Sequence, residues 1–224
     1  MRKRRIRRRD PEPKTRDIPR LALSHGQTIW LLSELGFRGD VSISTFNYYV
    51  KSLRKLGVPF EHIGPNKLSR KQATYVFEDL MELVVALLLR VYGTLPDAVA
   101  AGLRDYRDDL RPIYRRAYFE LVEPTSRYAT IVQRGRVRSS IGGLYLDLNI
   151  RYCAGKMIGF GPPKALGPAE AIQIYARAEA PARAYLPLNI SRLAQLIISQ
   201  SKSLPNIPRG RAAQRLRLDN FAHR

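Results

Sequence analysis

Apolar residues recur at near-helical spacing from Gln27 onward. Ile29, Leu31, Leu32 and Leu35 form a stripe that predicts an amphipathic helix, and Gly36 ends it. Residues 37–43 hold Gly39 and Asp40 and read as a short turn. A second helix is expected to start at Ser44 or Thr45, either of which can cap it. It places Phe46, Tyr49, Val50, Leu53 and Leu56 on one side and stops at Gly57. Val58 to Leu68, with Pro59, Gly64, Pro65 and Asn66, reads as a loop or small hairpin. The stripe Val76, Leu80, Leu83, Val84, Leu87, Leu88 and Val91 predicts a long third helix from Ser69 to about Tyr92. After Gly93-Thr94 a fourth helix runs through Val99, Leu103 and Tyr106. A short fifth covers Ile113 to Leu121, before Pro124.

The second half changes period. Leu144, Leu146, Leu148 and Ile150 alternate with Tyr145, Asp147, Asn149 and Arg151, the signature of a strand with one apolar face. Arg134, Arg136 and Arg138 also alternate, and Gly142-Gly143 between the two runs suggests a hairpin turn. Met157 to Gly161 reads as a further strand and Gly161-Pro162-Pro163 as a break. Ala169 to Arg177 reads as helix, Arg183 to Leu188 as extended, and Ser191 to Ser201 as helix. The expected class is therefore α+β, with helices first and a small antiparallel-sheet module after them.

Charge divides the chain further. Residues 1–20 carry ten basic and three acidic groups, a net of +7, with Pro11, Pro13 and Pro19 between them. Residues 202–224 carry six basic groups and one acidic, a net of +5. The tails so hold twelve of the twenty net charges and are expected to be disordered electrostatic arms. Residues 21–123 are nearly balanced, with thirteen basic and twelve acidic groups, whereas residues 124–201 have ten and three. Four segments follow: a basic arm at 1–20, a helical domain at 21–123, an α+β domain at 124–201 and a basic tail at 202–224.

A net charge of +20 and a pI near 10.6 point to a polyanionic partner, nucleic acid ahead of an anionic membrane. The greasiest window, Leu80 to Tyr92, contains Glu82 and Arg90 and falls short of the roughly 20 apolar residues a bilayer requires. The basic start lacks the apolar stretch of a secretory signal, so a cytoplasmic, nucleoid-associated protein is expected. The lone Cys153 rules out an internal disulfide, and His25, His62 and His223 show no metal-ligand spacing. Asp108-Asp109 reads as an exposed helix pair, Gly159-Phe160-Gly161 lacks the Lys-Ser/Thr ending of a phosphate loop, and Ser139-Ser140 has no nearby base. No enzyme, cofactor, metal or small-molecule substrate is expected.

A helix, a short turn and a second helix, followed by a Gly/Pro loop and a longer helix, fit a winged helix-turn-helix. The run Ile43-Ser44-Thr45-Phe46-Asn47-Tyr48-Tyr49, with Leu56-Gly57-Val58-Pro59 after it, resembles the recognition helix of MerR-type transcription regulators. Leu89 to Val99, with Gly93 at its centre, is similar to the helix-Gly-turn-helix that follows the wing in that family. The resemblance covers about residues 25–110. It departs at Asn47, where the family usually has Arg, and after Leu110, where no long pairing helix follows.

Local charge agrees with a docking face. Residues 38–71 hold seven basic groups against two acidic, whereas residues 72–123 hold six against nine. Ser44, Thr45, Asn47 and Tyr48 stand near the helix start, where base edges are read. Lys51, Arg54 and Lys55 follow a turn or two later, at backbone-gripping positions. Lys67, Arg70 and Lys71 fall in or beside the wing, Arg4, Arg5, Arg7 and Arg8 in the amino-terminal arm, and Arg134, Arg136 and Arg138 on the basic strand. The expected partner is double-stranded DNA, with self-association as a further one, and the expected role is a bacterial or mobile-element transcription regulator. An excisionase-like architectural, recombination, replication or partition factor, or an RNA-binding ribonucleoprotein component, are the alternatives.

Overall fold

A computed structural model describes residues 21–60, 74–91, 96–122, 143–153, 156–176, 183–184 and 187–205. In chain order these form β1 (Leu23–Ser24), α1 (His25–Glu34), α2 (Ile43–Lys55), β2 (Thr74–Tyr75), α3 (Phe77–Val91), α4 (Pro96–Asp105) and α5 (Arg107–Val122). There follow β3 (Tyr145–Asp147), β4 (Ile150–Cys153), β5 (Lys156–Phe160), β6 (Lys164–Leu166), α6 (Pro168–Ala176), β7 (Arg183–Ala184), β8 (Leu188–Asn189) and α7 (Ile190–Ser201). The class is α+β. Residues 61–68 of the expected loop, Gly142 of the expected turn, the arginine ladder, the basic arm up to Arg20 and the basic tail beyond Pro205 lie outside the described residues.

Local signals explain α1 and α2. Ser24 caps α1 in a reciprocal box: its hydroxyl accepts from the Gln27 backbone N–H, and the Gln27 side chain accepts from the Ser24 backbone. Both helices close with the same device. Phe37 N–H bonds Leu32 C=O and Gly36 N–H bonds Ser33 C=O, just as Val58 bonds Leu53 and Gly57 bonds Arg54, each at 3.0 Å. Gly36 and Gly57 stand at φ +85° and +88°, the left-handed turn this closure requires.

Several expectations are corrected. The cap of α2 is Ser42 rather than Ser44 or Thr45, because its backbone is extended while theirs is already helical. The third helix starts at Phe77, not Ser69: Thr74–Tyr75 instead pairs antiparallel with Leu23–Ser24. The fifth helix starts at Arg107 and carries Pro112 inside it. The apolar run 144–150 is not one strand. Asn149 sits at φ 46° and donates its N–H to the Asp147 carboxylate, so the chain turns there. Leu144, Leu146, Leu148 and Ile150 are all buried nonetheless, with Leu146 and Ile150 in two different sheets. The first sheet has the order β6-β3-β8 and the second β5-β4-β7, both antiparallel.

Helix α3 is the axis of the molecule, with every residue from Phe77 to Leu87 buried. It packs against α2, α4, α5 and α7, while α7 also touches α1 and β3. One cluster of buried residues runs from Leu23 to Ile197, so residues on both sides of position 123 share a core. A close approach joins the halves. A Cβ on Gly102 of α4 would fall 2.0 Å from the ring of Phe160 in β5, so only glycine leaves room for that ring.

Three carboxylates on the buried α3 would be costly alone. Each meets an arginine of antiparallel α5: Glu78 with Arg115 at 2.7 Å, Asp79 with Arg111 at 3.2 Å, Glu82 with Arg107 at 2.6 Å. Three of the nine acidic groups of residues 72–123 are thus turned inward, while Asp97, Asp105, Asp108 and Asp109 stay exposed.

Candidate nucleic-acid interface

The two sides of α2 are set by its periodicity. Phe46, Val50 and Leu53 are buried against the core. The exposed positions are Ser44, Tyr48, Lys51 and Lys55, spaced four, three and four residues apart, so they form one outward stripe. Tyr48 keeps 65% of its surface open, unusual for a large ring in a folded chain. The stripe runs from a hydroxyl near the helix start, through a phenol, to two ammonium groups. Such an order of groups can meet base edges first and phosphates later.

The other expected α2 residues are half-buried and engaged within the fold. The Thr45 hydroxyl pairs with Ser42 Oγ at 2.9 Å, and the Thr45 N–H donates to that same cap. Asn47 Oδ1 lies 2.8 Å from Nε2 of His25, the first residue of α1. His25 Nδ1 lies 2.9 Å from the hydroxyl of Tyr75 in β2. Arg54 lies over the rings of Tyr75 and Phe60, its guanidinium carbon 5.9 and 5.7 Å from their centroids. Arg54 Nε is buried with no partner among the described residues. Burial pushes the Tyr75 hydroxyl up to about 12, against the opposing pull of Arg54, so it stays protonated.

Beneath the helix end, Arg107 reaches across to α2. Its guanidinium donates to both oxygens of Glu82 and, at 2.5 Å, to the carbonyl of Gly57. Arg90 of α3 stacks on Tyr49 with its guanidinium 3.5 Å from the ring centroid. These contacts tie α2 to α3 and α5 through its inward and carboxyl-terminal sides and leave the Tyr48 stripe clear.

Of the expected binding residues, Ser44, Tyr48, Lys51 and Lys55 come together on one face, and Asn47 flanks it between Ser44 and Lys51. Lys67, Arg70, Lys71, the arginines of the amino-terminal arm and the Arg134–Arg138 ladder lie outside the described residues. Sequence reasoning missed His25 and Tyr75, which stand 22 and 28 residues from Asn47 and show no local spacing. Among the described residues no His, Cys, Asp and Glu group could hold a metal ion, and no helix is long and apolar enough to cross a membrane.

Comparison with known proteins adds no relative. No family model matches this chain, and neither does any curated protein or solved structure.

Proposed function

We propose that this protein binds double-stranded DNA in a sequence-specific manner and acts as a transcription regulator, with α2 entering the major groove. The observation that carries the reading is the Ser44–Tyr48–Lys51–Lys55 stripe, exposed on a helix whose opposite side is fixed in the core. The β1–β2 pairing supports a winged arrangement, because it brings the chain just before α1 against the chain that leaves residues 61–73. In that arrangement Lys67, Arg70 and Lys71 take phosphates beside the helix, and the arginines of residues 2–9 add affinity irrespective of sequence. The +20 charge supplies the attraction, and the polar start of α2 supplies the discrimination.

The experiment is a salt titration of duplex binding for the wild type and for the Lys51→Ala/Lys55→Ala double variant. Each phosphate contact removed should lower the slope of log affinity against log salt by about 0.9. The double variant should therefore lose nearly two from the slope while favouring the same sequence. An unchanged slope removes the stripe from the interface.

A further inference from the structure

The chain of hydrogen bonds behind α2 has a direction. Arg54 is a cation with donors only, and its guanidinium carbon stands 5.9 Å from the Tyr75 ring centroid, so the phenol keeps its oxygen lone pairs toward Arg54 and its hydrogen away. Tyr75 is fully buried, and its own O–H needs an acceptor. His25 Nδ1, at 2.9 Å, supplies one. A neutral imidazole that accepts at Nδ1 carries its proton on Nε2, which then donates to Asn47 Oδ1 at 2.8 Å. If Asn47 were turned over so that its amide nitrogen faced Nε2, His25 would have to donate at Nδ1. Tyr75 would then meet the His25 donor as well as the Arg54 cation, and its own hydrogen would be left without that acceptor. The polarity of Arg54, relayed through Tyr75 and His25, therefore fixes which way the Asn47 amide faces. Among the described residues Asn47 Nδ2 donates to nothing, and it is not one of the buried polar atoms without a partner, so water reaches it.

We propose that His25 is a specificity-setting positioning residue: it holds the Asn47 carbonyl inward and leaves the amide N–H groups as the reading function. This rests on the DNA-binding reading above. A free asparagine amide matches adenine with one donor and one acceptor. With its oxygen committed to His25, Asn47 offers donors alone. It then favours the acceptor edges of guanine (N7 and O6) or thymine (O4), and it disfavours cytosine, which presents a donor. Adenine loses the advantage of a two-point match. His25 itself touches no base. It stands at the junction of α1, α2 and β2, so it also couples the reading helix to the strand that follows residues 61–73.

The test uses the full chain and a random-sequence duplex library. Bound duplexes are sequenced, and affinities for the four bases at each selected position are then measured at one salt concentration. The wild type should show one position that prefers guanine or thymine. His25→Leu frees the amide, so adenine should gain about tenfold over guanine or thymine at that position alone. His25→Gln, which can still donate to Asn47 Oδ1, should keep the wild-type preference. Asn47→Asp provides an arm that leaves His25 in place. Its carboxylate accepts from His25 but has no N–H to give, and the same position should shift toward cytosine. Base preferences unchanged in both His25→Leu and Asn47→Asp would overturn the inference while leaving DNA binding intact. A wild type that enriches no sequence would overturn the DNA-reading proposal itself.

Discussion

Glu82 allows a test in which two physical effects have opposite signs. Its carboxyl is 1% exposed and receives the Arg107 guanidinium on both oxygens. Burial disfavours the ionised form, whereas the guanidinium favours it. Burial dominates, aided by the neighbouring Asp79 carboxylate, and the Glu82 carboxyl is pushed up from its ordinary 4.5 to about 7. Asp79 is raised in the same direction, again first by burial. The folded state thus holds the Glu82 proton more tightly than the unfolded chain. The group's contribution to stability is complete below pH 4.5 and is lost as pH rises through about 7. A displacement from 4.5 to about 7 corresponds to about 3 kcal/mol.

The perturbation is Glu82→Gln, which removes the titration and keeps the shape. Overall stability will also respond to the +20 charge, which grows on acidification and repels itself. The informative quantity is therefore the wild-type stability minus that of the variant. Urea unfolding from pH 4.5 to 8 at constant ionic strength gives it, with fluorescence of the single tryptophan, Trp30 on α1, as probe. The difference should fall by about 3 kcal/mol across that window and flatten above pH 7. If the ion pair with Arg107 dominated instead, the difference would rise with pH. A flat or rising curve refutes the claim that burial outweighs the arginine.

Two further outcomes follow from the packing. Gly102→Ala gains roughly 1 kcal/mol of helix propensity but drives a methyl group into the Phe160 ring, which is 2% exposed and has nowhere to go. A net loss of about 1–3 kcal/mol in urea unfolding is expected, partly recovered by adding Phe160→Leu. Ser42→Ala removes the cap of α2 and should cost about 1 kcal/mol in thermal unfolding while leaving the salt slope of DNA binding unchanged.

Much of the amino-terminal fold was legible because its signals are local. The Leu-Gly-apolar endings at Leu35-Gly36-Phe37 and Leu56-Gly57-Val58 mark two helix closures whose hydrogen bonds fall within six residues. The start of α2 was misplaced because Ser42, Ser44 and Thr45 are chemically equivalent as caps. Only the backbone, extended at Ser42, distinguishes them. The third helix was foreseen, but Val76 of its expected stripe precedes it and is exposed, and its start was placed eight residues early: the pairing of Thr74–Tyr75 with Leu23–Ser24 is a contact across some fifty residues that periodicity cannot register. The run 144–150 misled for a different reason. Its apolar positions all stay buried, yet Asp147 between them is buried too, and the turn at Asn149 depends on a side chain-to-backbone bond from Asp147 that an apolar count ignores.

The candidate site divides along the same line. Lys51 and Lys55 need only be recognised as lying opposite Phe46, Val50 and Leu53, and helical spacing is sufficient for that. Asn47 and Arg54 looked equivalent to them by spacing and are not. Each stands at the margin of the stripe, where a partner from another element can claim it, and His25 and Tyr75 do so. That division assigns different work to neighbouring positions on one helix. On the proposed reading, the outer lysines would meet DNA as freely hydrated charges, so their effect would weaken as salt rises. Asn47 and Arg54 are already oriented by hydrogen bonds and ring contacts inside the fold, which salt screens far less. If α2 reads DNA, changes at Lys51 or Lys55 should alter how tightly every duplex is held. Changes at Asn47, or at His25 behind it, should alter which duplex is preferred.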